Sequence, residues 1–201
     1  TTDLVPKTVS TEVELSGGRV HITGICKGSG MIHPNMGTML GYFLTDAVLS
    51  IPDAVHMLTE ATDNSFNMVS VDGETSTNDC AFLMANGVSG VSVTNPKDQK
   101  KFLKALEDVA QVLAKSIARD GEGATKLIEV QILNAPTLPI ARQAARGLVM
   151  SSLVKTAIHW CDPNWGRILA RLGADQVSKD CLAKMELRIQ DILVYQKETP
   201  L

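Results

Sequence analysis

The stretch KGSGMIHPNMGTMLGYFLTD, residues 27–46, decides how the fold of this chain is read. It is rich in glycine up to Gly37 and turns apolar at Met39, continuing through Leu40, Tyr42, Phe43 and Leu44. A short apolar run of this kind fits a strand. Two chemical readings compete with a plain turn into that strand. Glycine-rich loops expose backbone N–H groups to phosphate. A P-loop, however, ends in Gly-Lys-Ser/Thr before a helix, whereas here the lysine comes first and a proline follows. The other reading is a self-processing site. A threonine hydroxyl is a weak nucleophile without a base beside it. Attack by Thr38 on the Gly37 carbonyl would form an ester, and hydrolysis would free Thr38 as a new N-terminus. Its α-amino group, with an ordinary pKa near ~8, would then be the general base for its own hydroxyl. Gly37 suits this, since the bond to be cut needs a distorted backbone that a side chain would hinder. Taken alone, these residues favour the turn.

Upstream, TEVELSGGRVHITG (residues 11–24) alternates on both sides of Ser-Gly-Gly, which predicts a hairpin with Val13, Leu15, Val20 and Ile22 facing inward. Downstream, Pro52–Asn64 reads as a helix capped by Ser50. The apolar runs Phe66–Val71 and Cys80–Ala85 read as strands joined by the polar DGETSTND. Within that connection STND, residues 76–79, is dense in turn-forming groups and is given no site role. The clearest helix spans Pro96–Arg119, where Phe102, Leu106, Val109, Leu113 and Ile117 recur on one face. Asn95-Pro96 starts it and Gly121 ends it. Further on, residues 127–133, 154–160 and the MELRI segment predict strands, and residues 140–150 and 164–172 predict helices. In DPNWGR (162–167), Asn164 is a cap, Trp165 packs and Arg167 is expected to pair with a carboxylate. Interleaved strands and helices make the class mixed α and β in layers.

Composition narrows the function. The 201 residues are 44% hydrophobic and 20% charged with net charge −3, which is globular and lacks the basic stripe of a nucleic-acid binder. The lysines of 97–104 read as a solvated helix face. No apolar run reaches the ~20 residues of a membrane span, and no signal peptide is visible. The chain begins Thr-Thr-Asp and its tail lacks a closing element, so a piece of a longer protein is expected. Cys26, Cys80, Cys161 and Cys181 form no CxxC pair and are expected to be free thiols. The four histidines lack metal-ligand spacing, so no metal is expected.

Four segments then carry a resemblance. KGSGMIHPNMGTMLGYFLTDA (27–47), SFNMVSVDGETSTND (65–79), RDGEGATK (119–126) and SLVKTAIHWCDPNWGRIL (152–169) resemble, in order, segments of the glutamate N-acetyltransferase / ornithine acetyltransferase family. TTDLVPK (1–7) resembles the family's stretch upstream of the lysine. The resemblance implies an α+β fold, a layered α/β/β/α sandwich of the N-terminal-nucleophile-like type. Residues 1–126 would be the nucleophile-bearing region and 127–201 a smaller α/β unit. It implies transfer of acetyl from N2-acetylornithine to glutamate through an acetyl-threonine in arginine biosynthesis, after self-cleavage between Gly37 and Thr38. Thr38 matches the nucleophile, while Lys27, Glu122 and Thr1 match substrate-binding residues, with Thr2 close enough to compete for Thr1's place. No cofactor is implied, although acetyl-CoA serves some members as a donor. The implied assembly is an α2β2 heterotetramer of self-processed chains, cytoplasmic, or in the mitochondrial matrix of a eukaryote. Gly37 stands where the family usually has alanine, a change that still permits cleavage. The family's oxyanion-hole pair would lie upstream of Thr1, and its C-terminal Asn and Thr downstream, so these residues alone are not expected to be competent. The alternatives are a threonine-nucleophile aminopeptidase or amidase, and a non-catalytic subunit.

Overall fold

The computed structural model of the protein describes residues 2–33 and 39–200, in two compact units that divide between Ala124 and Thr125. The first unit is built on a four-stranded sheet in the order β1 (Lys7–Leu15), β2 (Gly18–Lys27), β3 (Leu40–Thr45), β4 (Cys80–Ala85). The pairs β1–β2 and β2–β3 are antiparallel, and β3–β4 is parallel. A parallel partner requires a crossover, and α1 (Ile51–Asp63) lies in it, capped by the Ser50 hydroxyl on the Asp53 amide. The long helix α2 (Pro96–Arg119) follows, with Asn95 as its cap.

Alternation along the hairpin sets the core. Val13, Leu15, Val20 and Ile22 are all buried, and they pack with Phe43 against Phe102, Leu106, Val109, Leu113 and Ile117 of α2. Gly24 is required where helix meets sheet, because a Cβ there would lie 2.6 Å from Val109 Cγ1 and 2.7 Å from Leu113 Cδ1. The buried Asp98 carboxylate accepts from the Ser16 amide and hydroxyl at 3.1 Å, tying the hairpin turn to the start of α2. The lysines at 97, 100, 101 and 104 are exposed, as the helix face predicts.

The opposite face of the sheet carries Ile25, Leu44, Phe82 and Met84, each more than 40% exposed, beside a Tyr42–Phe82 stack with centroids 5.3 Å apart. The unit is therefore a helical layer on one face of a sheet whose other face presents apolar side chains, within an α+β fold.

The second unit comprises α3 (Leu138–Met150), α4 (Ser152–His159), α5 (Trp165–Ala174), α6 (Lys179–Lys184) and the small antiparallel sheet β5 (Glu186–Ile189), β6 (Ile192–Gln196), β7 (Thr199–Pro200). Its core gathers Ala144, Leu148, Val154 and Leu172.

Three predicted strands are not strands. Phe66–Met68 is a 3₁₀ turn that buries Phe66 directly behind α1, so its apolar residues follow a chain reversal. Residues 127–133 join no ladder, although Val130 and Ile132 pack on the second core. Their alternation reports one covered face, not a strand partner. Residues 154–160 fall largely in α4, where Val154 and Ala157 are buried at helical spacing and the Ser151 hydroxyl caps Val154 N at 3.3 Å. The β-branched residues there weigh towards a strand, but burial follows the three-residue step. Arg167 also departs from expectation: it donates to Leu153 O and Thr156 Oγ1, each at 2.9 Å, and reaches no carboxylate among the described residues.

Candidate functional site

Lys27 ends β2 opposite Leu40, which in turn faces Cys80, so the three stand abreast across the sheet where β3 begins. Gly37, Thr38 and Thr1 lie outside the described residues.

The loop after Lys27 is held from three sides. Gly28 N donates to Asp3 Oδ1 at 2.9 Å, with Gly28 at φ 144°, where only glycine is at ease. The buried Ser29 exchanges a 2.5 Å hydrogen bond with the Thr2 hydroxyl, and its carbonyl accepts from Glu122 N at 2.8 Å. Gly30 faces the Glu122 side chain so closely that a Cβ would sit 2.7 Å from the carboxyl carbon. Met31 N and Ile32 N donate to the Asp72 carboxylate at 2.6 and 3.0 Å, and Val71 N donates to Ile32 O at 2.7 Å. Thus the turn carrying Glu122 sits on the loop that follows Lys27, and the DGE turn clamps its far side.

Beneath the loop lies a buried ion cluster. Lys7 Nζ, its side chain fully covered, contacts Asp3 Oδ1 at 2.5 Å and Asp120 Oδ2 at 2.6 Å. Asp120 also accepts from Leu4 N at 3.0 Å. Burial works against the Lys7 ammonium, but its bonds to Asp120 and Asp3 prevail and raise its pKa above the usual lysine value. The Lys7 bond holds Asp120 below the usual carboxylate range. One cation between two carboxylates fixes the first residues of the chain, the glycine loop and the end of α2 to one another.

Asp79 is a residue that the sequence did not single out. It immediately precedes β4, and the parallel pairing of β3 with β4 brings it beside Met39. Its buried carboxylate accepts a hydrogen bond from Met39 N, while Cys80 N donates to Met39 O at 3.2 Å. The second oxygen, Oδ2, is buried and has no hydrogen-bond partner. Desolvation raises the Asp79 pKa against the opposing pull of the Met39 amide and the Lys27 charge. STND reads as a turn former, and only the strand pairing shows what its last residue touches.

Other groups fit the chemistry less well. Cys26 is buried and its thiol is pushed up to about 12 by desolvation, which makes it a poor nucleophile; all four cysteines are free. At the other end of β3 an open depression of about 510 Å³ is lined by His21, Thr23, Leu44, Asp46 and Met84, among others. There His21 Nδ1 lies 2.7 Å from Asp46, and Nε2 lies 3.5 Å from Glu12. The Asp46 hydrogen bond leads in raising its pKa, which favours an imidazolium over a free base. No helix among the described residues is long and apolar enough to cross a membrane.

Comparison with known proteins points one way. The family described as "ArgJ family" matches residues 1–201. The arginine biosynthesis bifunctional protein ArgJ of Lactococcus lactis subsp. lactis (strain IL1403) is 48% identical over 202 residues, covering 100% of this chain and 50% of that protein. Its counterpart in Symbiobacterium thermophilum is 47% identical, again over 100% of this chain and 50% of the relative. The crystal structure of ArgJ from Bacillus halodurans superposes with a TM-score of 0.77 at 39% identity, covering 82% of this chain and 78% of that one. The chain spans about half the length of the curated relatives it matches.

Proposed function

Because this chain belongs to the ArgJ family, we propose that it carries the nucleophile-bearing part of an acetyltransferase of arginine biosynthesis. The chain is cut between Gly37 and Thr38, and the freed Thr38 takes acetyl from N2-acetylornithine and passes it to glutamate. Its hydroxyl is the nucleophile and its new α-amino group the base. The proton that leaves the hydroxyl on attack passes to the departing ornithine amine, and the acetyl ester is then opened by the glutamate amine. The cut chains assemble as an α2β2 heterotetramer in the cytoplasm.

One observation carries this reading: the Glu122 amide is bonded to Ser29, and its carboxylate is packed on Gly30. Residues far apart in sequence are thereby gathered at the end of β2, which pairs with the start of β3. Lys27 offers a compact cation for a substrate carboxylate, and Glu122 an anion for its ammonium group.

Intact mass of the family-length protein containing these residues tests the first step. Two chains meeting at Gly37/Thr38 are expected, with Thr38→Ala left whole. Incubation with N-acetylornithine should leave acetyl on Thr38, released by glutamate. Release of acetate without glutamate dependence would point to the hydrolase reading. An absent adduct would leave a non-catalytic subunit.

A further inference from the structure

Lys27 and Glu122 come from distant parts of the first unit, and a substrate gripped by both needs their spacing to be constant. A closed circuit of bonds sets that spacing. Gly28 N, the amide directly after Lys27, donates to Asp3 Oδ1 at 2.9 Å. The same oxygen accepts from Lys7 Nζ at 2.5 Å, and Lys7 Nζ also donates to Asp120 Oδ2 at 2.6 Å. Two residues further on, Glu122 N donates to Ser29 O at 2.8 Å, which returns the circuit to the residue after Gly28. Gly121, between Asp120 and Glu122, lies so close to Val71 that a Cβ would sit 2.9 Å from its Cγ1. Lys7 is the link between the two halves of the circuit. Its side chain is fully covered, so it acts on a substrate only through the groups it holds. Charge-assisted bonds in a place shut off from water resist displacement of either carboxylate. A buried ion cluster is often no more stable than apolar side chains of the same volume. Stability therefore does not account for this one, whereas the placement of Gly28 and Glu122 does.

We propose that Lys7 is a positioning residue of the substrate site. Through Asp3 and Asp120 it sets the spacing of the loop that follows Lys27 and the turn that carries Glu122. It thereby sets the affinity for a substrate bearing both a carboxylate and an ammonium group, and it takes no part in the chemical step. The inference rests on the acetyl-transfer reading above. In N2-acetylornithine the carboxylate and the side-chain ammonium keep their charges while acetyl leaves the other nitrogen. Contacts to those two groups are equally strong in the ground state and the transition state. Loosening them therefore raises KM and leaves kcat in place.

The test uses the family-length protein and two variants that open the circuit at different places. Asp3→Ala leaves Lys7 paired with Asp120. The double variant Lys7→Met/Asp120→Asn replaces the cation by a hydrocarbon of similar length and one carboxylate by a neutral amide, leaving Asp3 on Gly28 N. Neither leaves two like charges facing each other in the interior. Each is expected to raise KM for N2-acetylornithine roughly tenfold, the loss of a charge-assisted contact, with kcat within about twofold of wild type. All three substitutions together should do no more than either variant alone, because a circuit opened once is open, whereas independent losses would add. Wild-type KM in either folded variant, additive losses, or an equal fall in kcat and kcat/KM would each overturn the role of Lys7 while leaving the function intact. A wild-type protein that transfers no acetyl would overturn the reading on which the inference rests. Thermal melts identify the folded variants, and if one of the two fails to fold the other decides.

Discussion

At the scale of single residues, the site is held by groups whose neighbours are far away in sequence. Gly30 is the sharpest case, since any side chain there meets the Glu122 carboxylate. That carboxylate is the end of a flexible chain and can swing aside. Gly30→Ala should therefore leave the melt nearly unchanged while raising KM for an amino-acid substrate roughly tenfold, the loss of one charge-assisted contact. Steady-state kinetics beside a thermal melt would check it. Lys7 behaves differently. Lys7→Ala strands Asp3 and Asp120 together in a buried place, and removing one partner from a buried pair costs about 3–5 kcal/mol. Chemical denaturation should read that loss directly. The pH dependence follows from the two shifts. Asp120 titrates below its unfolded value, so its contribution is present above the ordinary carboxylate pKa and is lost as pH falls through the lowered one. Lys7 titrates above its unfolded value, so its share is full below the ordinary lysine pKa and is lost as pH rises through the raised one. Asp79 has the opposite sign to Asp120. Its raised pKa makes the ionised form a cost to the fold at neutral pH, so Asp79→Asn should melt no earlier than wild type.

At the scale of elements, α2 anchors the first unit. Its apolar stripe was legible because burial follows the 3.6-residue period, and Asn95 and Pro96 mark its start by ordinary capping chemistry. Leu106→Ala is expected to cost about 2–5 kcal/mol, and Asn95→Ala about 0.5–2 kcal/mol, both measurable by urea titration. The β1–β2 hairpin was legible for the same reason, with strict alternation around a glycine turn. Where reading failed, the local pattern reported burial without reporting backbone. Residues 127–133 alternate yet have no strand beside them. Residues 154–160 are rich in Val, Thr and Ile, yet a serine cap and a three-residue burial step make them a helix. In the second unit Gly147 lets α3 approach Asp175, since a Cβ would fall 1.7 Å from its carboxylate oxygen.

At the scale of the whole molecule, the outer face of the four-stranded sheet sets an expectation. Ile25, Leu44, Phe82 and Met84 stand exposed there, where an α/β/β/α sandwich places its second sheet. The 201-residue chain expressed alone should therefore self-associate on size exclusion, and co-expression with the remainder of a family-length protein should give a discrete complex. A clean monomer would speak against a second layer on this face. By itself the sequence determined the hairpin, α1, α2 and two later helices, read over residues 140–150 and 164–172 and found at Leu138–Met150 and Trp165–Ala174, because periodicity and caps are local. Through its motifs it also determined the family and the residues to weigh. Only the tertiary structure decided the parallel union of β3 with β4, the Asp3–Lys7–Asp120 cluster, the seat of Glu122 on Gly30 and the half-satisfied Asp79 beside Met39. Each joins residues roughly 40 to 115 positions apart, apart from Lys7 with Asp3. Such contacts leave no mark on the local pattern, because their energy exists only once burial has removed water from both partners.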